Sequence, residues 1–129
     1  MSRDLKRILY VEDEASIRTI AVTVLEAVGG LTVIACSSGK EALAAAPGAN
    51  ADLILLDVMM PEMDGPATLA ALRAIPQTAQ TPVIFMTAKI QAGEILHYKR
   101  LGALDVVGKP FDPMTLSAQL GEIWRRSVA

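Results

Sequence analysis

The sequence holds a single cysteine, Cys36, which excludes an intrachain disulfide. The β-branched stretch around it casts the thiol as a small buried apolar group. Long apolar runs are missing too. The charged opening Met1–Arg7 leads into an apolar run that lasts only from Ile8 to Val11, too short for the core of a signal peptide. The longest apolar stretch, Ile20–Cys36, is interrupted by Glu26 and Gly29-Gly30, which excludes a membrane span. Cationic charge is scarce: 12 Lys and Arg stand against 14 Asp and Glu, for a net charge of −2. A general nucleic-acid surface needs clustered Lys and Arg, so direct nucleic-acid binding is not expected. The one histidine, His97, reads as a half-exposed helix residue. There are no internal repeats and no low-complexity segment. A cytoplasmic protein without membrane contact is expected.

What is present is an alternation of strand-like and helix-like segments, repeated five times. The 129 residues suit one domain, and the 52% hydrophobic content suits a sheet covered on both faces. Ile8–Val11 is a short apolar strand. Ile17, Ile20, Ala21, Val24, Leu25 and Val28 follow at helical spacing, ended by Gly29-Gly30. Leu31–Cys36 is a second strand. Ser38 and Glu41 have the spacing of a capping box, opening a short helix through Leu43 and Ala46. Ala51–Leu56 is a third strand. Asp64-Gly65-Pro66 introduces a helix carrying Leu69, Leu72 and Ile75, stopped by Pro76. Thr81–Met86, a helix over Ile90–Leu101, and Leu104–Val107 come next. Asp112-Pro113 suits the cap and first turn of a last helix with Leu116, Leu120 and Ile123 on one face. Arg125-Arg126 near its end suit the helix dipole. The expectation is an α/β fold with a doubly wound parallel sheet and right-handed crossovers, residues 1–129 forming a single domain.

Polar groups end four of these strands. Glu12 and Asp13 follow the first, Asp57 the third, Thr87 the fourth and Lys109 the fifth. The C-terminal rim of a parallel sheet is where open α/β folds bind ligands. Glu12, Asp13 and Glu14 could simply cap the first helix, and Asp57 could form a turn. Leu56 and Val58 instead make Asp57 the last step of a buried strand. If the three carboxylates Glu12, Asp13 and Asp57 converge, each pair at about 4 Å repels by roughly 4 kcal/mol at an effective dielectric near 20. Such a cluster requires raised pKa values or a compensating cation, and an all-oxygen set suits Mg²⁺. A carboxylate so placed could attack a phosphoryl group. Lys109 would supply a point charge, Thr87 a hydroxyl donor, and the small Ala88 room for access. Trp124 reads as a packing residue, and Met59, Met60 and Met63 as loop and core filling.

Glu12-Asp13, the segment Asp57-Val58-Met59-Met60-Pro61-Glu62-Met63-Asp64-Gly65, Thr87-Ala88 and Lys109-Pro110-Phe111, in this order and spacing, together resemble the receiver domain of two-component response regulators. The resemblance runs from Ile8 to the last helix. It implies a flavodoxin-like (βα)5 sheet of strand order 2-1-3-4-5. It also implies Asp57 as phospho-acceptor, and Mg²⁺ held by Asp13, by Glu12 through water, by Asp57 and by the backbone carbonyl of Met59. Lys109 would pair with the phosphoryl oxygens, and Thr87 would move toward them. The Lys109–Pro110 bond would be cis. The implied donor is a sensor histidine kinase or a histidine phosphotransfer protein, with a further protein as downstream target. The chain would be a monomer or a phosphorylation-dependent dimer, a receiver without an output domain. It would catalyse only its own phosphorylation and dephosphorylation, so it is not expected to be an enzyme.

One position departs from the pattern. Relatives carry Tyr or Phe three residues before the lysine, and its rotamer change is coupled to the threonine; here that position is Val106. Val106 has a stiff χ1 and no ring to swing, so Tyr98 or His97 on the neighbouring helix is the candidate substitute. Three rival readings remain. A small phosphatase with an aspartate nucleophile of the haloacid-dehalogenase type would need a second Asp where Met59 stands. A flavodoxin-like small-molecule binder would need a Gly- or Ser/Thr-rich phosphate loop where Glu12-Asp13-Glu14 stands. A receiver fragment of a larger hybrid kinase or transcription factor would look the same.

Overall fold

The structure, a computed structural model, describes residues 4–128. Five parallel strands form one sheet: β1 (Arg7–Val11), β2 (Thr32–Cys36), β3 (Leu53–Asp57), β4 (Val83–Thr87) and β5 (Asp105–Gly108). Their spatial order is β2-β1-β3-β4-β5, the doubly wound order the resemblance implies. The helices between them are α1 (Ala15–Ala27), α2 (Gly39–Ala49), α3 (Gly65–Arg73), α4 (Ala92–Arg100) and α5 (Leu116–Val128).

Strands β3 and β4 are buried at every position, which is why they read as continuous apolar runs rather than as an alternation. Successive side chains still point to opposite faces. Ile8, Tyr10, Leu53, Leu55, Ile84, Met86 and Val107 pack against Ala21 and Leu25 of α1 and Leu116, Leu120, Ile123 and Trp124 of α5. Leu9, Val11, Ile54, Leu56, Val83, Phe85 and Val106 face Ala42, Ala46 and Ala49 of α2, Leu69 and Leu72 of α3, and Tyr98 of α4. Each large apolar side chain so buried contributes roughly 2 kcal/mol of transfer free energy, and two such layers lock the sheet register.

The helix ends follow their caps, with four differences. Ser38 Oγ accepts from Glu41 N–H at 3.0 Å, but the Glu41 carboxylate reaches back to Ser37, taking its N–H at 3.0 Å and its hydroxyl at 2.7 Å. Helix α2 also runs past Pro47 to Ala49, ending on Asn50 in the left-handed region at φ 50°. Asp112 accepts from Met114 N–H at 2.9 Å but caps a turn that precedes α5, which begins at Leu116. Helix α4 begins at Ala92 rather than Ile90. Asp64 caps α3 as the sequence suggests, accepting from Ala67 N–H at 2.9 Å, with Pro66 in the first turn.

Candidate functional site

The parallel ladder carries the C-terminal ends of β1, β3, β4 and β5 to a common rim. Val11 is level with Leu56, Asp57 with Met86, and Thr87 with Gly108. Glu12 and Asp13 leave β1, Asp57 closes β3, Thr87 closes β4, and Lys109 leaves β5. The rim therefore gathers residues that are up to 97 positions apart in the chain.

Glu12, Asp13 and Asp57 each place a carboxylate oxygen within 4.8 Å of the other two. Glu12 is fully buried, Asp57 is 2% exposed, and Asp13 is half-buried. The Lys109 ammonium donates to Glu12 Oε1 at 2.8 Å and to Asp57 Oδ1 at 3.1 Å. Burial, and then the Glu12 charge, push the Asp57 carboxyl up to about 7 from the usual 3.8, against the pull of Lys109. Burial opposes the charge of Lys109 as well. Its hydrogen bond to Glu12 and its attraction to Asp57 outweigh that opposition and hold its pKa above the ordinary value. Three carboxylates facing one ammonium leave a net negative pocket of hard oxygen donors, a set that fits a divalent cation of the Mg²⁺ type.

Thr87 is 2% exposed, and its hydroxyl accepts the Lys89 N–H at 3.1 Å, which ties the loop after β4 to the strand end. The Lys109 N–H donates to the Thr87 carbonyl at 2.9 Å, joining β5 to β4 at the rim. Met59 lies in the loop after β3 with its side chain 70% exposed. The Lys109–Pro110 peptide is cis. Next to Lys109, the side chains of Ile17 and Ile20 from α1 and of Ala88, Pro110, Phe111 and Pro113 line an apolar hollow of about 400 Å³.

Two participants were not legible in the sequence. Arg18 of α1 donates from Nη1 to the backbone carbonyls of Glu12 at 2.8 Å and Asp13 at 3.5 Å, clamping the acidic loop. An arginine in the second turn of a helix gives no signal of that role. Tyr10, two residues before Glu12, buries its hydroxyl without a hydrogen-bond partner among the described residues. Burial, then the charges of Glu12 and Asp57, raise its pKa. The direct pairing of Lys109 with Glu12 also goes beyond the sequence reading, which set the lysine opposite a phosphoryl group.

An acidic rim cluster with a lysine across it, on a doubly wound sheet of order 2-1-3-4-5, defines a receiver-type signalling module. The chain belongs to the response regulator receiver domain family, whose sequence model matches residues 8–121. It is 41% identical over 122 residues to the alkaline phosphatase synthesis transcriptional regulatory protein PhoP of Bacillus subtilis, covering 95% of this chain and 50% of that protein. It is 40% identical over 123 residues to the transcriptional regulatory protein CpxR of Escherichia coli, covering 95% of this chain and 51% of that protein. The chain thus spans about half the length of these curated relatives. Among solved structures, the chemotaxis response regulator CheY4 of Vibrio cholerae superposes with a TM-score of 0.84 at 34% identity, over 92% of this chain and 98% of that one. Response regulators act in two-component signalling, where they receive phosphoryl groups from histidine kinases; they are signalling proteins rather than classical enzymes. None of the helices among the described residues is long and apolar enough to cross a membrane.

Proposed function

We propose that this receiver accepts a phosphoryl group on Asp57 and thereby switches a protein-binding surface. The observation that carries the reading is the buried Asp57 carboxylate, 3.1 Å from the Lys109 ammonium and within 4.8 Å of the Glu12 and Asp13 oxygens. One Asp57 oxygen attacks the phosphorus of a phospho-histidine, the P–N bond breaks, and the departing imidazole takes a proton from solvent. The product is an acyl phosphate. Water later attacks its phosphorus, releasing inorganic phosphate and restoring the carboxylate.

Phosphoryl transfer is chiefly positioning and charge neutralisation. Glu12, Asp13, Asp57 and the Met59 carbonyl would hold Mg²⁺, which when bound supplies positive charge against the phosphoryl oxygens. Lys109 moves from its carboxylate partners to a phosphoryl oxygen. Thr87 moves to donate its hydroxyl to a phosphoryl oxygen and gives up the Lys89 N–H, which releases the loop after β4 from the strand end.

The donor is a cytoplasmic histidine kinase or histidine phosphotransfer protein, and the apolar hollow beside Lys109 supports a helical protein donor at that edge of the rim. The half-length match to transcriptional regulators supports a second reading, in which residues 1–129 are the receiver portion of such a regulator. Either way the downstream target is a protein that reads the phosphorylated surface, as monomer or dimer.

The test is intact-mass measurement after incubation with acetyl phosphate and Mg²⁺. One phosphoryl adduct on wild type and none on Asp57→Ala is expected. An unmodified wild type refutes the assignment, and multiple turnover of an external phosphoester would point to a phosphatase instead.

A further inference from the structure

We propose that Phe85 and Tyr98 form the packing relay that carries the state of Thr87 to α4, with Tyr98 as the positioning residue on the helix. The proposal rests on the phospho-acceptor reading above.

Phe85 and Thr87 are two residues apart on β4, so their side chains share one face of the sheet. That face is the one covered by α3 and α4. The Phe85 ring is fully buried, and it meets the Tyr98 ring edge-on, with centroids 5.2 Å apart and planes at 66°. Edge-to-face pairs at this separation have a preferred geometry, so a shift of one ring is felt by the other. Phe85 also abuts the turn after Asp57: a Cβ at Gly65 would lie 3.2 Å from Phe85 Cε1 and 2.7 Å from the Asp57 carbonyl oxygen. One ring therefore spans from the Asp57 turn to α4.

Helix α4 has few other anchors. Tyr98 is its sole buried residue, while Leu96 on α4 and Ile90 in the preceding loop are exposed. That loop is held at its start by the Thr87–Lys89 hydrogen bond. It is held further on by Ile90, whose Cδ1 and Cγ2 would lie 3.3 Å from a Cβ at Gly108, the residue level with Thr87 on β5. Releasing the Lys89 N–H from Thr87 thus frees the loop, and α4 is then held at the core by Tyr98, against Phe85, and by half-buried Ile95. On β5, the residue level with Phe85 is Val106, which has no ring to take this part. His97, the other candidate, is exposed and lies tilted against Tyr98 at 5.5 Å.

The chain has two tyrosines, Tyr10 and Tyr98, so 3-fluorotyrosine labelling gives two fluorine resonances, assigned with Tyr10→Phe and Tyr98→Phe. Spectra are recorded as acetyl phosphate and Mg²⁺ are added, with intact mass read in parallel. The expected result is a second Tyr98 line that grows in proportion to the phosphorylated fraction. Phe85→Leu should be phosphorylated equally while the Tyr98 response is lost. Amide hydrogen exchange across α4 should change on phosphorylation in wild type and in the ring-retaining Tyr98→Phe, but not in Tyr98→Leu. A phosphorylated wild type with an unmoved Tyr98 line overturns the relay alone. A chain that takes no phosphoryl group overturns the relay together with the reading beneath it.

Discussion

Lys109 lies closer to Glu12 than to Asp57, with its ammonium 2.8 Å from Glu12 Oε1 and 3.1 Å from Asp57 Oδ1. The lysine therefore does the work of a resident cation in a pocket with three carboxylates. Any divalent ion or phosphoryl group entering the pocket competes with, or recruits, that ammonium.

Lys109→Gln is expected to lower the stability of the metal-free protein by about 3 kcal/mol, because removing one partner strands two buried acids. The same change should tighten Mg²⁺ binding, since the pocket loses its built-in positive charge. Urea unfolding in chelator and Mg²⁺ titration by thermal shift check both effects. Weaker Mg²⁺ binding in the variant would mean that the lysine and the ion do not share the carboxylates.

Asp57→Asn should stabilise the metal-free protein above neutral pH. The folded-state carboxyl is raised to about 7 from 3.8, so the native state holds its proton more tightly than the unfolded chain does. Wild-type stability from this group accordingly falls as pH rises between those values, while the amide does not titrate. The advantage of the variant should be absent near pH 4 and grow to at most about 4 kcal/mol by pH 8. Thermal melts of both proteins across this pH range decide it, and a variant clearly less stable at pH 8 counts against carboxylate crowding.

Wild type should gain stability with Mg²⁺, by about 2.7 kcal/mol at one hundred times the dissociation constant. Asp57→Asn, lacking one anionic ligand, should gain less at equal Mg²⁺. Melting temperature against Mg²⁺ concentration gives both curves. A flat wild-type curve into the millimolar range removes the metal assignment.

Much of this fold is legible because its signals are local. Buried parallel strands appear as unbroken apolar runs, and Asp64-Gly65-Pro66 and Ser38 sit at helix starts. What is not legible depends on packing. Pro47 argues for an earlier stop to α2, yet Ala46 and Ala49 are buried against the sheet and carry the helix to Ala49. Ile90 looks like the first apolar position of α4 but lies before the helix, against Gly108. In the candidate site, the residue types and their order identify the rim. Partner choice does not follow from them: neither the Lys109–Glu12 pairing nor the clamp of Arg18 on the Glu12 and Asp13 carbonyls has any sequence pattern of its own.

Gly65 shows how closely the rim is built. A Cβ there would come within 2.7 Å of the Asp57 carbonyl oxygen and 2.8 Å of Val58 Cα, both backbone atoms, so no side-chain rotation relieves the contact. The Gly65 N–H also donates to the Val58 carbonyl at 2.8 Å, pinning the start of α3 beneath the end of β3. Gly65→Ala therefore has to push α3 or the Asp57 turn aside, at a cost of about 1–3 kcal/mol typical of overpacking. Because the displaced atoms adjoin Asp57, the variant should also lose part of its Mg²⁺-dependent gain in melting temperature. Ala70→Gly, on the exposed face of the same helix, serves as the control. It should cost up to about 1 kcal/mol through helix propensity and leave the Mg²⁺ gain intact. Equal Mg²⁺ responses in the two variants would separate the packing at Gly65 from the geometry of the acidic site.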